Sequence, residues 1–212
     1  MKSKPIFLIM TDSVALPRGV RDSQVFWEET YIHKLKKHYS QYEVISVSIG
    51  GASIKDLRSQ FKYYSCLRPK LVLIQCGIVD AFPRAFGKIE LEIIKKARLL
   101  RFTKPFVAGL RKIRQHHYAD PREFERCLKE LNDVFQPKSF YSLSILPANK
   151  EYESKANGVT ENINLYNAIL SEHSLSIDLS NIPEEGIMPD HHHINSLGHS
   201  FIFSEIVKSI KH

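Results

Sequence analysis

Two short runs without a polar residue constrain this chain more than any other feature. They are Ile6-Phe7-Leu8-Ile9-Met10 and Leu71-Val72-Leu73-Ile74. A strand with one wet face alternates apolar and polar residues. An unbroken apolar run of this length has no face that tolerates water, as in a parallel strand covered by helices on both sides. The first run is too short to cross a bilayer or to form a signal-peptide core, and Asp12 follows where small residues would precede a cleavage site. It reads as the first buried strand of a cytoplasmic protein.

The remaining pattern alternates strands with helices. Further strands are expected at Tyr42–Ser48, Leu71–Gln75, Phe140–Leu146 and Leu175–Leu179. Helices are expected at about Ser23–His38, at Ile54–Tyr64, and at Ser196–Ile210 with Leu197, Phe201, Ile206 and Ile210 along one side. Such alternation implies right-handed crossovers. The expected fold class is therefore α/β, a three-layer α/β/α sandwich around a central parallel sheet of about five strands. One domain, residues 1–212, accounts for the chain. The stretch 85–137 is long for a crossover and reads as a helical insert. Its first half is basic, with Lys88, Lys95, Lys96, Arg98, Arg101, Lys104, Arg111, Lys112 and Arg114 against Glu90 and Glu92. Two readings stand: a basic outer face, or a lid or docking surface for an anionic glycan or membrane.

The formal net charge of +7 favours acidic partners. No zinc-finger or RNA-binding signature accompanies it, so no nucleic-acid partner is expected. The three cysteines, Cys66, Cys76 and Cys127, are odd in number and widely spaced, which suits a reducing compartment and no disulfide framework.

Sites in parallel sheets lie beyond the carboxyl ends of the strands. Thr11-Asp12-Ser13 follows the first strand, Gly50-Gly51 the second, and Gly77 to Arg84 the third. Near the other end of the chain stands Pro189-Asp190-His191-His192-His193, just before the last helix. Asp190 and His193 are three residues apart, so the carboxylate reaches the imidazole Nδ1 from the same loop and fixes its tautomer. A base held in this way requires a nucleophile, and Ser13 is the candidate. Taken singly, Ser13 and Asp12 read equally as helix caps, Asn195 as a cap of the last helix, Asp80 as a loop brace and His199 as a packed residue. Adjacent histidines point in different directions and no second cluster has metal spacing, so no metal is expected.

In order, Thr11-Asp12-Ser13, Gly51, Gly77-Ile78-Val79-Asp80 and Asp190-x-x-His193 resemble the blocks of the SGNH (GDSL-like) hydrolase superfamily, across nearly the whole chain. The tail His193-Ile194-Asn195-x-x-Gly198-His199 is similar to that family's last block. The resemblance implies a three-layer fold and ester hydrolysis without metal or cofactor. It implies that Ser13 attacks the carbonyl, His193 acts as base and then acid, Asp190 orients His193, and the N–H groups of Ser13 and Gly51 form the oxyanion hole. The chain has no Gly-x-Ser-x-Gly elbow. Two positions depart from the family. Thr11 replaces glycine, and Val79 stands where the family carries an asparagine that donates to the oxyanion.

The segment Gly77-Ile-Val-Asp-Ala-Phe-Pro-Arg84 resembles a Gly-Ile-Val-Asp-x-x-Pro-Arg variant associated with bacterial surface polysaccharide, and Thr11-Asp12-Ser13-x-Ala15-Leu16-Pro17-Arg18 fits the same subgroup. This similarity implies a small-molecule or glycan substrate, met by Arg84, Arg18 and Val79. The arginines suit bidentate contact with a carboxylate or phosphate; alternatively they pair with Asp12 or Asp80. Arg84 is also the candidate to replace the missing oxyanion donor. The expected function is a serine esterase that removes acyl groups, foremost acetyl, from a carbohydrate. An O-acyltransferase with the same triad and a catalytically weak glycan-binding protein are the alternatives.

Overall fold

The computed structural model describes residues 4–19, 24–114 and 116–210. Strand β1 (Ile6–Thr11) leads through a tight turn at Trp27–Glu29 into α1 (Tyr31–His38) and β2 (Glu43–Ser48). Then come α2 (Ile54–Arg58), α3 (Phe61–Tyr64), β3 (Leu71–Gln75), α4 (Ile78–Ala81), α5 (Lys88–Lys96), α6 (Leu100–Arg114) and α7 (Pro121–Phe135). The chain closes with β4 (Ser139–Leu143), α8 (Lys150–Lys155), α9 (Val159–His173), β5 (Leu175–Ile177) and α10 (Ser196–Ser209).

All five strands are parallel, in the order β2-β1-β3-β4-β5. The chain steps from β1 outward to β2, then returns past β1 to β3 and continues the other way. Right-handed crossovers on a sheet that reverses direction place helices on both faces. Accordingly α1 packs with α10, while α7 packs with α2 and α9. Strands β1 and β3 are almost wholly buried, including Phe7, Leu8, Ile9, Met10, Val72 and Leu73. This is the expected α/β/α sandwich with a five-stranded parallel sheet.

Several boundaries differ from the sequence pattern. Ser23, where the pattern starts a helix, lies outside the described residues. The α-helix begins only at Tyr31, because Thr30 caps it: its Oγ1 accepts the His33 N–H at 3.3 Å. The helix expected at Ile54–Tyr64 is two, separated at Ser59-Gln60. Strand β4 stops at Leu143, not Leu146. Beyond it the Ser144 Oγ accepts the Leu179 N–H and the Asn167 side chain accepts the Ile145 N–H at 2.7 Å, so side chains replace the ladder. Strand β5 ends at Ile177, two residues early.

The inner face of α10 is Gly198, His199, Ile202 and Ile206, and Leu197 is exposed. Gly198 sets this rotation. A Cβ there would lie 2.5 Å from the Gly186 carbonyl oxygen and 2.8 Å from Ile194 Cβ, so only glycine lets the helix approach.

Three helices fill 88–135. The last, α7, is a core crossover helix that buries Phe124, Cys127, Leu128, Leu131 and Phe135. In contrast, α5 and α6 leave Ile93, Phe102, Phe106 and Ile113 exposed. Among the described residues no helix is long and apolar enough to cross a membrane.

Candidate active site

The three strands that meet at the reversal end level with one another. Thr11 lies opposite both Ser48 and Gln75. The Asp12 N–H donates to the Gln75 carbonyl at 3.1 Å and the Ile49 N–H to the Thr11 carbonyl at 3.0 Å. The loops that follow therefore emerge along one rim, where an open crevice forms in sheets of this topology.

Ser13 opens a single tight turn, Ser13–Ala15, capped by Asp12, whose carboxylate accepts the Val14 N–H at 2.9 Å. Asp12 is fully buried. Desolvation pushes its pKa up to about 7, even though the Val14 N–H and the charge of Arg18 favour the ionised form. Its role is to hold the turn that presents Ser13. Thr11 is a β1 residue whose hydroxyl donates to Ser48 Oγ at 2.8 Å.

From the far end of the chain, Met188–His193 forms a closed loop, tied by the Met188 N–H to the His193 carbonyl at 2.8 Å and by a bridge between Ile187 and Ile194. His191 takes a left-handed backbone, φ 67°, yet the histidine rings stay close: His191 stacks on Tyr152, and the His192 and His193 ring centres lie 4.2 Å apart. The His191 ring contacts Asn149 and Lys155, and the His192 ring stacks on Tyr152. His193 turns toward the rim of β1.

There the two ends of the chain meet. Ser13 Oγ lies 3.0 Å from His193 Nε2, and His193 Nδ1 lies 2.6 Å from Asp190 Oδ2. The other carboxylate oxygen of Asp190 accepts the His193 backbone N–H at 3.0 Å. Partial burial opposes ionisation of Asp190, but the hydrogen bonds from the His193 ring and backbone outweigh it and hold the pKa below the ordinary carboxylate value. A neutral imidazole with its Nδ1 proton on Asp190 leaves Nε2 free to accept the Ser13 proton.

Asp190, His192 and His193 also bring three potential ligand atoms within 4.8 Å of one another. The 2.6 Å contact is a hydrogen-bond distance, which commits His193 Nδ1 and the carboxylate to each other.

A cavity of about 540 Å³ opens over Ser13 and His193, and every other residue singled out for substrate contact reaches it: Gly51, Val79, Arg18 and Arg84. Gly51 adopts φ 68°, and a Cβ there would meet nothing within 4 Å, so the demand for glycine is conformational. No backbone acceptor is found among the described residues for the N–H groups of Ser13 and Gly51. Arg18 donates to the Ser13 carbonyl at 3.3 Å and braces the loop. Arg84 stacks on the Tyr118 ring at 4.0 Å, and its Nη2 is 3.4 Å from the Val79 carbonyl. It forms no ion pair with Asp80, whose carboxylate accepts the N–H groups of Ile54 and Ala119 at 2.8 and 3.1 Å.

Phe82, Tyr118, Tyr152 and His192 also line the cavity, beyond the residues the sequence motifs point to. Phe82 lies inside the Gly77–Arg84 motif, which is a usable signal. Tyr118 arrives through the backbone pairing of Arg84 with His116, which no local pattern announces. His199 is fully buried. It accepts the Tyr31 N–H at 3.3 Å, and burial drives its pKa down to about 4. Asn195 caps α10 by accepting from Leu197 and Gly198.

The raised pKa of Asp12 has a testable consequence. Between about pH 4 and 7 the unfolded chain has lost this proton while the folded chain keeps it, so stability falls as pH rises through that window and levels above it. Asp12→Asn removes the effect while keeping an oxygen for the Val14 N–H. We expect the wild-type stability, relative to Asp12→Asn, to drop by roughly 2–3 kcal/mol between pH 5 and 8 in urea unfolding. A pH-independent difference contradicts the assignment.

No protein-family model matches this sequence, and no match is found among curated proteins. Solved structures do match along nearly the whole chain. A lipase/acylhydrolase from Enterococcus faecalis is 14% identical, with 96% of this chain and 94% of that one covered and a TM-score of 0.66. A mutant of an acetyl-xylooligosaccharide esterase from Geobacillus stearothermophilus is 15% identical over 100% and 96%, with a TM-score of 0.64. A member of the lipolytic protein G-D-S-L family from Veillonella parvula is 10% identical over 96% of each chain, with a TM-score of 0.62. At such low identity the common ground is architectural: this chain has the fold on which G-D-S-L lipolytic proteins and acylhydrolases are built.

Proposed function

We propose that the chain is a serine esterase of SGNH type that removes acyl groups, acetyl foremost, from a carbohydrate. One observation carries the reading: Ser13, His193 and Asp190 stand in an unbroken relay with contacts of 3.0 and 2.6 Å at the floor of an open cavity. The likeness in fold to an acetyl-xylooligosaccharide esterase supports it.

In this mechanism Ser13 Oγ attacks the ester carbonyl carbon as its proton passes to His193 Nε2. Asp190 keeps the imidazole in the required tautomer and stabilises the imidazolium. The carbonyl oxygen, now negative, accepts from the N–H groups of Ser13 and Gly51. Collapse breaks the bond to the sugar oxygen, which takes the proton from His193, leaving an acyl-serine. Water then attacks with His193 as base, and the free acid leaves.

Val79 gives the oxyanion no side-chain donor, and its absence costs about 3–4 kcal/mol of transition-state stabilisation where two donors do not suffice. Arg84, beside the Val79 carbonyl, supplies positive charge on that side of the cavity. The same valine is the observation that favours a catalytically weak, glycan-binding protein. That reading predicts glycan binding without labelling of Ser13 by a fluorophosphonate.

Hydrolysis of 4-nitrophenyl acetate tests the proposal. Ser13→Ala and His193→Ala are expected to lower kcat by about 10³-fold or more, and Asp190→Asn by about 10⁴-fold through the wrong imidazole tautomer. Losses under tenfold at all three positions rule the relay out as the catalytic device. Val79→Asn restores a donor and is expected to raise kcat about tenfold, as one oxyanion contact is worth at least that much. Unchanged kcat in that variant assigns the oxyanion to backbone donors alone.

A further inference from the structure

A second chamber, about 230 Å³, adjoins the catalytic cavity. The two share Phe82, Arg84 and Tyr118 as a common wall. On the far side stand Arg111 and the apolar side chains of Phe86, Leu91 and Val107. The guanidinium carbons of Arg84 and Arg111 lie 5.5 and 4.9 Å from the centre of the same Phe82 ring. Two cations therefore flank one ring, and among the described residues neither forms an ion pair. Each has its Nε buried without an acceptor. Arg111 uses Nη1 on the Lys155 carbonyl at 2.7 Å, and the charge of Arg84 adds to burial in lowering the Arg111 pKa. Buried donors without acceptors, on like charges held together, are costly unless a ligand completes them.

We propose that Arg84 and Arg111 bind a carboxylate or phosphate group, with an apolar body against Phe86, Leu91 and Val107. The preferred ester is then an anionic one whose charged end lies in this second chamber. The site stands on its own geometry; the substrate assignment rests on the esterase reading.

The full chain carrying Ser13→Ala, titrated calorimetrically with phenyl phosphate, benzoate and phenol, tests the site. Both anions, or the one of matching chemistry, are expected to bind at least tenfold more tightly than phenol. Arg84→Gln and Arg111→Gln should each weaken that anion about tenfold or more, while Arg122→Gln, exposed at the start of α7, leaves it unchanged. Equal binding of phenol, or unchanged affinity in both glutamine variants, overturns the site. Should either glutamine variant fail to fold, Arg84→Lys and Arg111→Lys decide: they lose the planar fork, and undiminished anion binding in both overturns it equally. Anion binding without turnover of any ester sinks the esterase reading and keeps the site; ester turnover without anion binding does the reverse.

A separate observation concerns the outer surface of α5 and α6. Leu99, Phe102, Phe106 and Ile113 are 46–82% exposed and line an open groove of about 600 Å³. Lys95, Lys96, Arg98 and Arg101 are exposed on the same two helices and the turn between them, while Arg114 pairs with Glu90. A soluble polyanion would pair with the cations but leave the aromatic groups wet. A second copy would bring the same cations face to face. An anionic bilayer accepts both, with apolar groups in the acyl boundary and cations among the headgroups. We infer that α5 and α6 dock the protein on an anionic lipid surface. Co-sedimentation of the full chain with phosphatidylcholine vesicles, with and without phosphatidylglycerol, checks this. Binding is expected only with phosphatidylglycerol, reduced at high salt and lost in the double variant Phe102→Ser/Phe106→Ser. Equal binding to both vesicle types, no binding to either, or undiminished binding by the double variant overturns it.

Discussion

Everything at the site depends on β1, β2 and β3 ending in register. Backbone hydrogen bonds continue one step past the strands, from Asp12 to Gln75 and from Ile49 to Thr11, and fix the heights of three loops against one another. Ser13, Gly51 and Val79 line one cavity because those loops start level. The crossovers from β1 and to β3 step to opposite sides, which leaves the space above these two strands uncovered. A slip of one residue in β1 would turn Ser13 away from the loops that carry Gly51 and Val79.

Buried carboxylates then pin the loops. Asp12 holds the Ser13 turn through the Val14 N–H, and Asp80 gathers the N–H groups of Ile54 and Ala119 from two separate segments. Burial of such groups is tolerated because each accepts backbone hydrogen bonds that would otherwise be unmet. Asp12 and His199 are both driven toward their neutral forms by desolvation, one upward and one downward in pKa. Their contributions to stability slope in opposite directions with pH, His199 favouring the folded state as pH rises from about 4 and Asp12 disfavouring it up to about 7.

Val79 and Arg84 belong together in this architecture. An asparagine at position 79 would place an amide donor in the cavity. Valine leaves an apolar wall instead, and the nearest strong positive charge on that wall is Arg84, held by stacking on Tyr118 rather than by a carboxylate. Stacking leaves the guanidinium edge available to a ligand, which an ion pair with Asp80 would not.

The sequence by itself determined the class of fold, because unbroken apolar runs at Ile6–Met10 and Leu71–Ile74, alternating with helical stretches, suit a parallel sheet covered on both faces. It also determined the order of the motifs and the local pairing of Asp190 with His193, since three residues in one loop suffice for that contact. Helix boundaries at Tyr31 and Ser59, the rotation of α10 and the early end of β4 were decided elsewhere, by a cap at Thr30, the close approach of Gly198 to Gly186, and the side chains of Ser144 and Asn167. Only the tertiary structure decided that Ser13 and His193, 180 residues apart, lie 3.0 Å from each other. Likewise it alone brought Tyr118 and Arg111 against Arg84. Periodicity records which face of an element is apolar; it carries no record of which distant loop that face will meet.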